Sequence, residues 1–195
     1  MPQVESPIAE FVADIEALVA VEDDSYVIAH AVRRRLAALL AGPAFLTPEQ
    51  CEPDPGHYRS HLLSVAPSRK FSVVGLIWLP GQVTPIHDHI CWCVVGVLQG
   101  VEREQRYSLR ADDARGHFLV PVDCETLTAG HTCTLIPPEE NIHQVRNAGG
   151  DLAISLHVYG DDIGVYGSSI NQCFDELPVH AANAKGMPIA WRRMR

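Results

Sequence analysis

The stretch Gly81-Gln-Val-Thr-Pro85-Ile-His87-Asp-His89-Ile-Cys91-Trp-Cys93-Val-Val-Gly96-Val-Leu-Gln-Gly100 decides how this chain folds. Residues two apart in a strand point to the same face, so His87 and His89 reach one side together. Gly81 and Gly100 bracket the pair as turn residues. A third histidine follows in Pro138-x4-His143-x3-Asn147 and must come from another strand. Three neutral imidazoles with no carboxylate would leave a divalent metal its full charge and several open positions. Such a centre favours anionic ligands, thiolate among them. The ligand set alone does not choose between iron and zinc.

Working outward, the chain from about Tyr58 consists of short β-rich runs. His61–Val65, Phe71–Leu79, Cys91–Leu98, Gln105–Leu109, Glu125–Leu127, Thr132–Ile136, His143–Arg146 and Ala153–Tyr159 read as strands. Pro67-Ser68, Pro80-Gly81, Gly100, Asp112-Asp113, Ala129-Gly130, Pro137-Pro138 and Gly149-Gly150 separate them. Many short strands at this spacing predict a sandwich or barrel. The spacing Gly81-x5-His87-x-His89-x3-Cys93-x6-Gly100 is that of the first cupin motif, with cysteine where glutamate is usual, and His143 stands in the second motif. The expected fold is all-β, a double-stranded β-helix (cupin jelly roll) with N-terminal helices.

The helices precede the barrel. Ser6 caps a first helix with Pro7 at its opening position, and Ile8, Phe11, Ile15 and Leu18 recur at helical spacing. Asp23 and Asp24 precede a second, Tyr26 to Leu40, which Gly42-Pro43 ends. One domain spanning 1–195 is expected: a helical cap over 1–50, a β-barrel core over 58–169 and a C-terminal extension over 170–195.

A net charge of −9 argues against nucleic acid as a partner. The runs Arg33-Arg34-Arg35 and Arg192-Arg193-Met194-Arg195 are short and read as solvated. No apolar run reaches the roughly 18 residues of a membrane span, and no secretion signal opens the chain. Six cysteines without disulfide-like or zinc-like spacing read as reduced thiols in a cytoplasmic protein.

A second polar row is carried by Ser155-Leu-His157-Val-Tyr159, where Ser155, His157 and Tyr159 share a face. Either that face is solvated, or it points into the barrel mouth and relays hydrogen bonds. It is not a hydrolase triad, because no carboxylate orients the histidine and no Gly-x-Ser-x-Gly elbow is present. Cys91 and Cys93 would continue the inward face of His87 and His89 in an unbroken strand.

With these motifs in view, the chain resembles the bacterial cysteine dioxygenase family, the thiol dioxygenases of the cupin superfamily. The resemblance runs from about Tyr58 to Ser169 and rests on Pro85-Ile-His87-Asp-His89, Gly96-Val-Leu-Gln-Gly100, Ile142-His143-Gln-Val-Arg-Asn147 and Ser155-Leu-His157-Val-Tyr159-Gly160. It implies Fe(II) on His87, His89 and His143, with Ser155, His157 and Tyr159 as the catalytic network. It implies addition of both atoms of O2 to a small carboxylate-bearing thiol of the cysteine or 3-mercaptopropionate type, giving a sulfinate. Mammalian-type members join a cysteine of the first metal strand to the active-site tyrosine, which makes Cys93 and Tyr159 a candidate thioether. Cysteine-specific members bind the substrate carboxylate with an arginine, and mercaptopropionate-type members with a glutamine, on the strand that begins near Tyr58. Here that slot holds Ser60, beside Arg59, and these two are the candidate substrate-binding residues; Arg59 reaches inward only if the register shifts by one. Two rivals stay open: a cupin metal enzyme acting on a non-thiol substrate, and a non-catalytic cupin that binds metal or a small ligand.

Overall fold

Ser6 and Asp24 open the two N-terminal helices of the computed structural model, which describes residues 6–138, 141–180 and 187–188. The Ser6 hydroxyl accepts from the Ala9 amide ahead of α1 (Pro7–Val19), and Asp24 accepts from Tyr26 and Val27 ahead of α2 (Ser25–Leu40). Each cap satisfies amides that the first turn leaves unpaired. Ile15, Val19, Val32 and Leu36 then pack on Phe71, Val73, Val94, Leu156 and Val158, so the helices cover one face of a sheet as the sequence predicted. No described helix is long and apolar enough to cross a membrane.

Eleven described strands follow: β1 (Arg59–Val65), β2 (Ser72–Trp78), β3 (His87–His89), β4 (Cys93–Gln99), β5 (Val101–Asp112), β6 (Gly116–Thr128), β7 (Thr132–Leu135), β8 (Ile142–Asn147), β9 (Ala153–Tyr159), β10 (Ile170–Cys173) and β11 (Met187–Pro188). One sheet runs β1-β2-β9-β4-β7 and the other β10-β3-β8-β5-β11, with β6 paired to β5. All the pairings between these strands are antiparallel. The chain passes repeatedly from one sheet to the other and encloses a core of Val74, Leu76, Trp78, Val95, Val97, Leu135 and Val145. This is the expected double-stranded β-helix behind N-terminal helices.

Three details depart from the sequence reading. His87–His89 and Cys93–Gln99 do not form one strand: β3 and β4 belong to different sheets, and the chain crosses between them at Ile90–Trp92. The parity that was to carry Cys91 and Cys93 on from the histidines is therefore broken. Gln105–Leu109 and Glu125–Leu127 are fragments of the long β5–β6 hairpin, whose polar and charged sequence hides its length. Part of the extension becomes barrel, because β10 pairs with β3 beside the histidines. The basic run 192–195 lies outside the described residues.

β9 settles the ambiguity of the polar row. It is buried along its whole length, with Leu156 and Val158 against the helices and the alternate residues directed into the barrel. Neither face is solvated. Gly160 ends β9 against the indole of Trp92, where a Cβ would lie 2.2 Å from Nε1. Its amide also donates to the Trp92 carbonyl at 2.9 Å. Gly160→Ala should therefore cost ~1–3 kcal/mol as an overpacked site. Thermal unfolding would register this as a midpoint lower by ~2–4 °C per kcal/mol.

Candidate metal centre

His87 and His143 stand opposite each other on β3 and β8, and His89 follows two residues after His87. All three side chains are buried, and one ligand atom from each lies within 4.8 Å of the others. Their orientations follow from what holds the far side of each ring. His87 Nδ1 lies 2.9 Å from the Pro85 carbonyl oxygen, which can only accept, so the proton sits on Nδ1. His89 Nδ1 lies 3.2 Å from Asn141 Oδ1, and the Asn141 amide donates back to the His89 carbonyl at 3.0 Å. His143 Nδ1 donates to Glu104 Oε1 at 2.8 Å. Burial keeps the three imidazoles neutral by pushing their pKa down, most strongly at His89 and His143.

With each proton fixed on Nδ1, every Nε2 presents a lone pair. The Nε2 atoms of His87 and His89 face each other at 3.2 Å, and His143 Nε2 is buried with no partner. Opposed lone pairs repel, and a buried acceptor without a donor is costly. A cation between them relieves both, so the residues fit a divalent metal. Sequence reading missed the outer groups. Glu104 restores near His143 the carboxylate absent from the ligand set, and Arg106 steadies it at 3.1 Å. The signal was the alternation Glu102-x-Glu104-x-Arg106 just after Gly100, visible once β5 is known to begin at Val101.

Beside the histidines, Ser155, His157 and Tyr159 form a hydrogen-bonded row, one of the two arrangements their spacing left open. Ser155 Oγ lies 3.1 Å from His157 Nε2, and Tyr159 Oη lies 3.2 Å from His157 Nδ1. Trp78 Nε1, which can only donate, reaches Ser155 Oγ at 3.2 Å. Burial lowers the His157 pKa to about 3 and raises that of Tyr159, so at neutral pH the row consists of a neutral imidazole and a protonated phenol.

A cavity of about 190 Å³ opens onto both groups, the size for a small molecule. Tyr58, Ser60 and Thr84 contribute hydroxyls to its wall, as do Ser168 and Ser169 from the segment after α3 (Ile163–Tyr166). Arg59 does not join it. Its guanidinium lies 3.7 Å from Glu52 and 4.0 Å from Asp54, away from the cavity. No register shift turns it inward, because β1 pairs with β2 from Arg59 to Leu62 without interruption. Among the described residues, no lysine or arginine lines the cavity.

Cys93 reaches the interior despite the broken parity, since it pairs directly with Tyr159 across β4 and β9. It is fully buried, with Sγ 3.9 Å from His157 Nδ1. Burial raises its pKa well above the ordinary thiol value, and it is not among the groups close enough together to share a metal with the three histidines. Cys91 is only half-buried, and all six cysteines are free.

The family described as cysteine dioxygenase type I matches residues 51–164, more than half of the chain. Among solved structures, a conserved protein with a double-stranded β-helix domain from Klebsiella pneumoniae subsp. pneumoniae is 20% identical, with a TM-score of 0.44 over 62% of this chain and 91% of that one. A cupin superfamily protein from Desulfitobacterium hafniense is 15% identical, with a TM-score of 0.41 over 65% of this chain and 88% of its own.

Proposed function

We propose, from the premise that this chain belongs to the cysteine dioxygenase type I family, that it is an Fe(II)-dependent thiol dioxygenase converting a small thiol to its sulfinate. The observation that carries the reading is the convergence of three Nε2 lone pairs on a cavity that His157 and Tyr159, the inner members of the Ser155–His157–Tyr159 row, also line. His87, His89 and His143 would hold the iron. Bound Fe(II) would lower the substrate thiol's pKa and supply the electrons and open positions that oxygen needs. The family supports iron over zinc, which the same ligands would accept.

The protein's own contribution is orientation and exclusion of water. Glu104 and Asn141 fix the planes of two ligand rings, and the Pro85 carbonyl fixes the third. Tyr159 presents its hydroxyl to the cavity beside His89, with the ring centroids 5.6 Å apart, where it can meet a substrate head group. His157 holds that phenol from behind, and Ser155 holds His157. A substrate carboxylate would rest on the hydroxyls of Tyr58, Ser60 and the Ser168–Ser169 segment. Hydroxyls bind it less tightly than a bidentate arginine would.

The test is anaerobic iron loading followed by oxygen uptake against cysteine, 3-mercaptopropionate, cysteamine and mercaptosuccinate, with products identified by mass. Sulfinate from at least one thiol supports the reading. Oxygen consumption with the thiol intact favours a cupin acting on a non-thiol substrate, and iron-replete protein that consumes no oxygen with any of them favours a binding module.

The direct pairing of Cys93 with Tyr159 also supports a thioether between them. Aerobic turnover should then generate a species lighter by about two hydrogens, since joining a thiol to a ring carbon removes one from each. Intact-protein mass spectrometry reads this directly. The species should be absent from Cys93→Ala, and an unshifted mass after turnover would refute the crosslink.

A further inference from the structure

Asp88 stands between His87 and His89 but takes the opposite face of β3, and it is not among the groups able to share the metal. It is nevertheless buried, and a carboxyl group is kept in such a place only where its oxygens are occupied. Asn171 Nδ2 lies 3.2 Å from both Oδ1 and Oδ2, and the Gln172 amide donates to Oδ1 at 2.8 Å. Both donors belong to β10, whose pairing with β3 slips by one residue. Ile170 faces His89 and Gln172 faces Asp88, so Asn171 is the extra residue of a bulge. The Asp88 carboxyl gathers the two donors that this bulge presents.

The same stretch of chain is tied to β3 and its flanks at both ends. The Ile90 amide donates to the Ser169 carbonyl at 3.1 Å, and the Phe174 amide to the Ile86 carbonyl at 2.8 Å. The Ile86 amide in turn donates to Asp175 Oδ1 at 3.0 Å. On its other edge β3 meets β8 through the His87–His143 pair, so β10 supplies more of its lateral pairing than β8 does. Immediately ahead of β10, Ser168 and Ser169 line the cavity. Ser168 Oγ accepts from the Ile170 amide at 3.0 Å, which leaves the hydroxyl proton for the cavity. We propose that Asp88 is a positioning residue for the substrate end of the site. It clasps β10 at the bulge and so fixes where the Ser168–Ser169 wall stands relative to His87 and His89. One face of β3 holds the metal ligands, and the other holds the segment that a substrate head group meets.

The part played toward substrate rests on the thiol dioxygenase reading; the clasp itself does not. Amide hydrogen exchange over residues 168–175 of the full-length protein tests the clasp. Asn171→Asp, at an exposed position, sets two carboxyl groups against each other and should speed exchange there by ~10–100-fold. Asp88→Ala should do the same. Adding Asp88→Asn to Asn171→Asp restores one amide and one carboxylate with their roles exchanged, and exchange should return to near the wild-type rate. Packing alone would not produce that rescue. Thiol affinity is then read anaerobically on Co(II)-loaded protein, by thiolate-to-cobalt absorption, with cysteine, 3-mercaptopropionate, cysteamine and mercaptosuccinate. At unchanged metal content, Kd of the tightest binder should rise ~2–10-fold in Asn171→Asp, the worth of one neutral hydrogen bond, and recover in the double variant. In the iron-loaded enzyme the same change should fall on KM rather than kcat. Wild-type exchange in both Asn171→Asp and Asp88→Ala overturns the clasp, and faster exchange at unaltered thiol affinity overturns its part in positioning substrate. Should Asp88→Ala not fold, Asn171→Asp and the double variant still decide it. If none of the four thiols binds, the thiol dioxygenase reading falls, while the exchange rates still decide the clasp.

Discussion

Replacing His143 by alanine should leave a folded barrel that retains no stoichiometric iron and shows no thiol-dependent oxygen uptake above the free-metal background. The expected loss is large because the ligand set has no spare member: among the described residues only His87 and His89 would remain to hold the ion. His143 Nε2 is also the ligand atom with no protein partner at all, so the metal is the group that fits it. The fold should survive, since β8 keeps its pairing with β5 from Ile142 to Asn147 and Glu104 keeps Arg106. Glu104→Gln provides the graded companion. It leaves the ligand in place but removes the charged acceptor on Nδ1, a kind of change that typically weakens metal binding by ~10–100-fold. Iron per chain by elemental analysis, with a thermal melt to establish folding, separates the two variants. Stoichiometric iron in folded His143→Ala would remove His143 from the metal site.

The sequence made the fold and the inner site legible for the same reason: both follow from side-chain parity and turn residues. His87 and His89 share a face wherever their strand lies, and Ser155, His157 and Tyr159 do the same in β9. What failed were the inferences that carried parity across a break. The chain leaves one sheet at His89 and enters the other at Cys93, so counting from His89 could not place the cysteine, whereas its pairing with Tyr159 does. The partners that lie outside the motifs were hidden too. Asn141 sits just ahead of its strand and joins His89 through a tertiary contact 52 residues away in sequence. Glu104 lies in a hairpin whose two edges are half solvated and so show no clean alternation. Arg59 illustrates the opposite case. The sequence put Ser60 in the inward slot and left Arg59 dependent on a slip in register, and the uninterrupted pairing of β1 with β2 rules out that slip.

His157→Ala should keep its iron and lose most of its turnover, which distinguishes a relay residue from a ligand. His157 is not among the groups able to share the metal; it touches Ser155 on one side and Tyr159 on the other. Proton positioning of this kind typically contributes ~10²–10⁴-fold to the rate, and the loss should appear in kcat at unchanged iron content. Alanine also empties a fully buried position and strands two hydroxyls, so part of any loss could be structural. Tyr159→Phe resolves this, because it keeps the ring packed among Val74, Cys93 and Val95 and removes the hydroxyl alone. If the phenol acts through His157, Tyr159→Phe should approach the His157→Ala loss, and the double variant should be little worse than either. Tyr159→Phe also deletes the phenol needed for a thioether, so Cys93→Ala serves as its control; that variant should retain far more turnover than Tyr159→Phe. Multiplying losses in the double variant would mean that the two residues act separately, and wild-type turnover in Tyr159→Phe would exclude the hydroxyl from the reaction altogether.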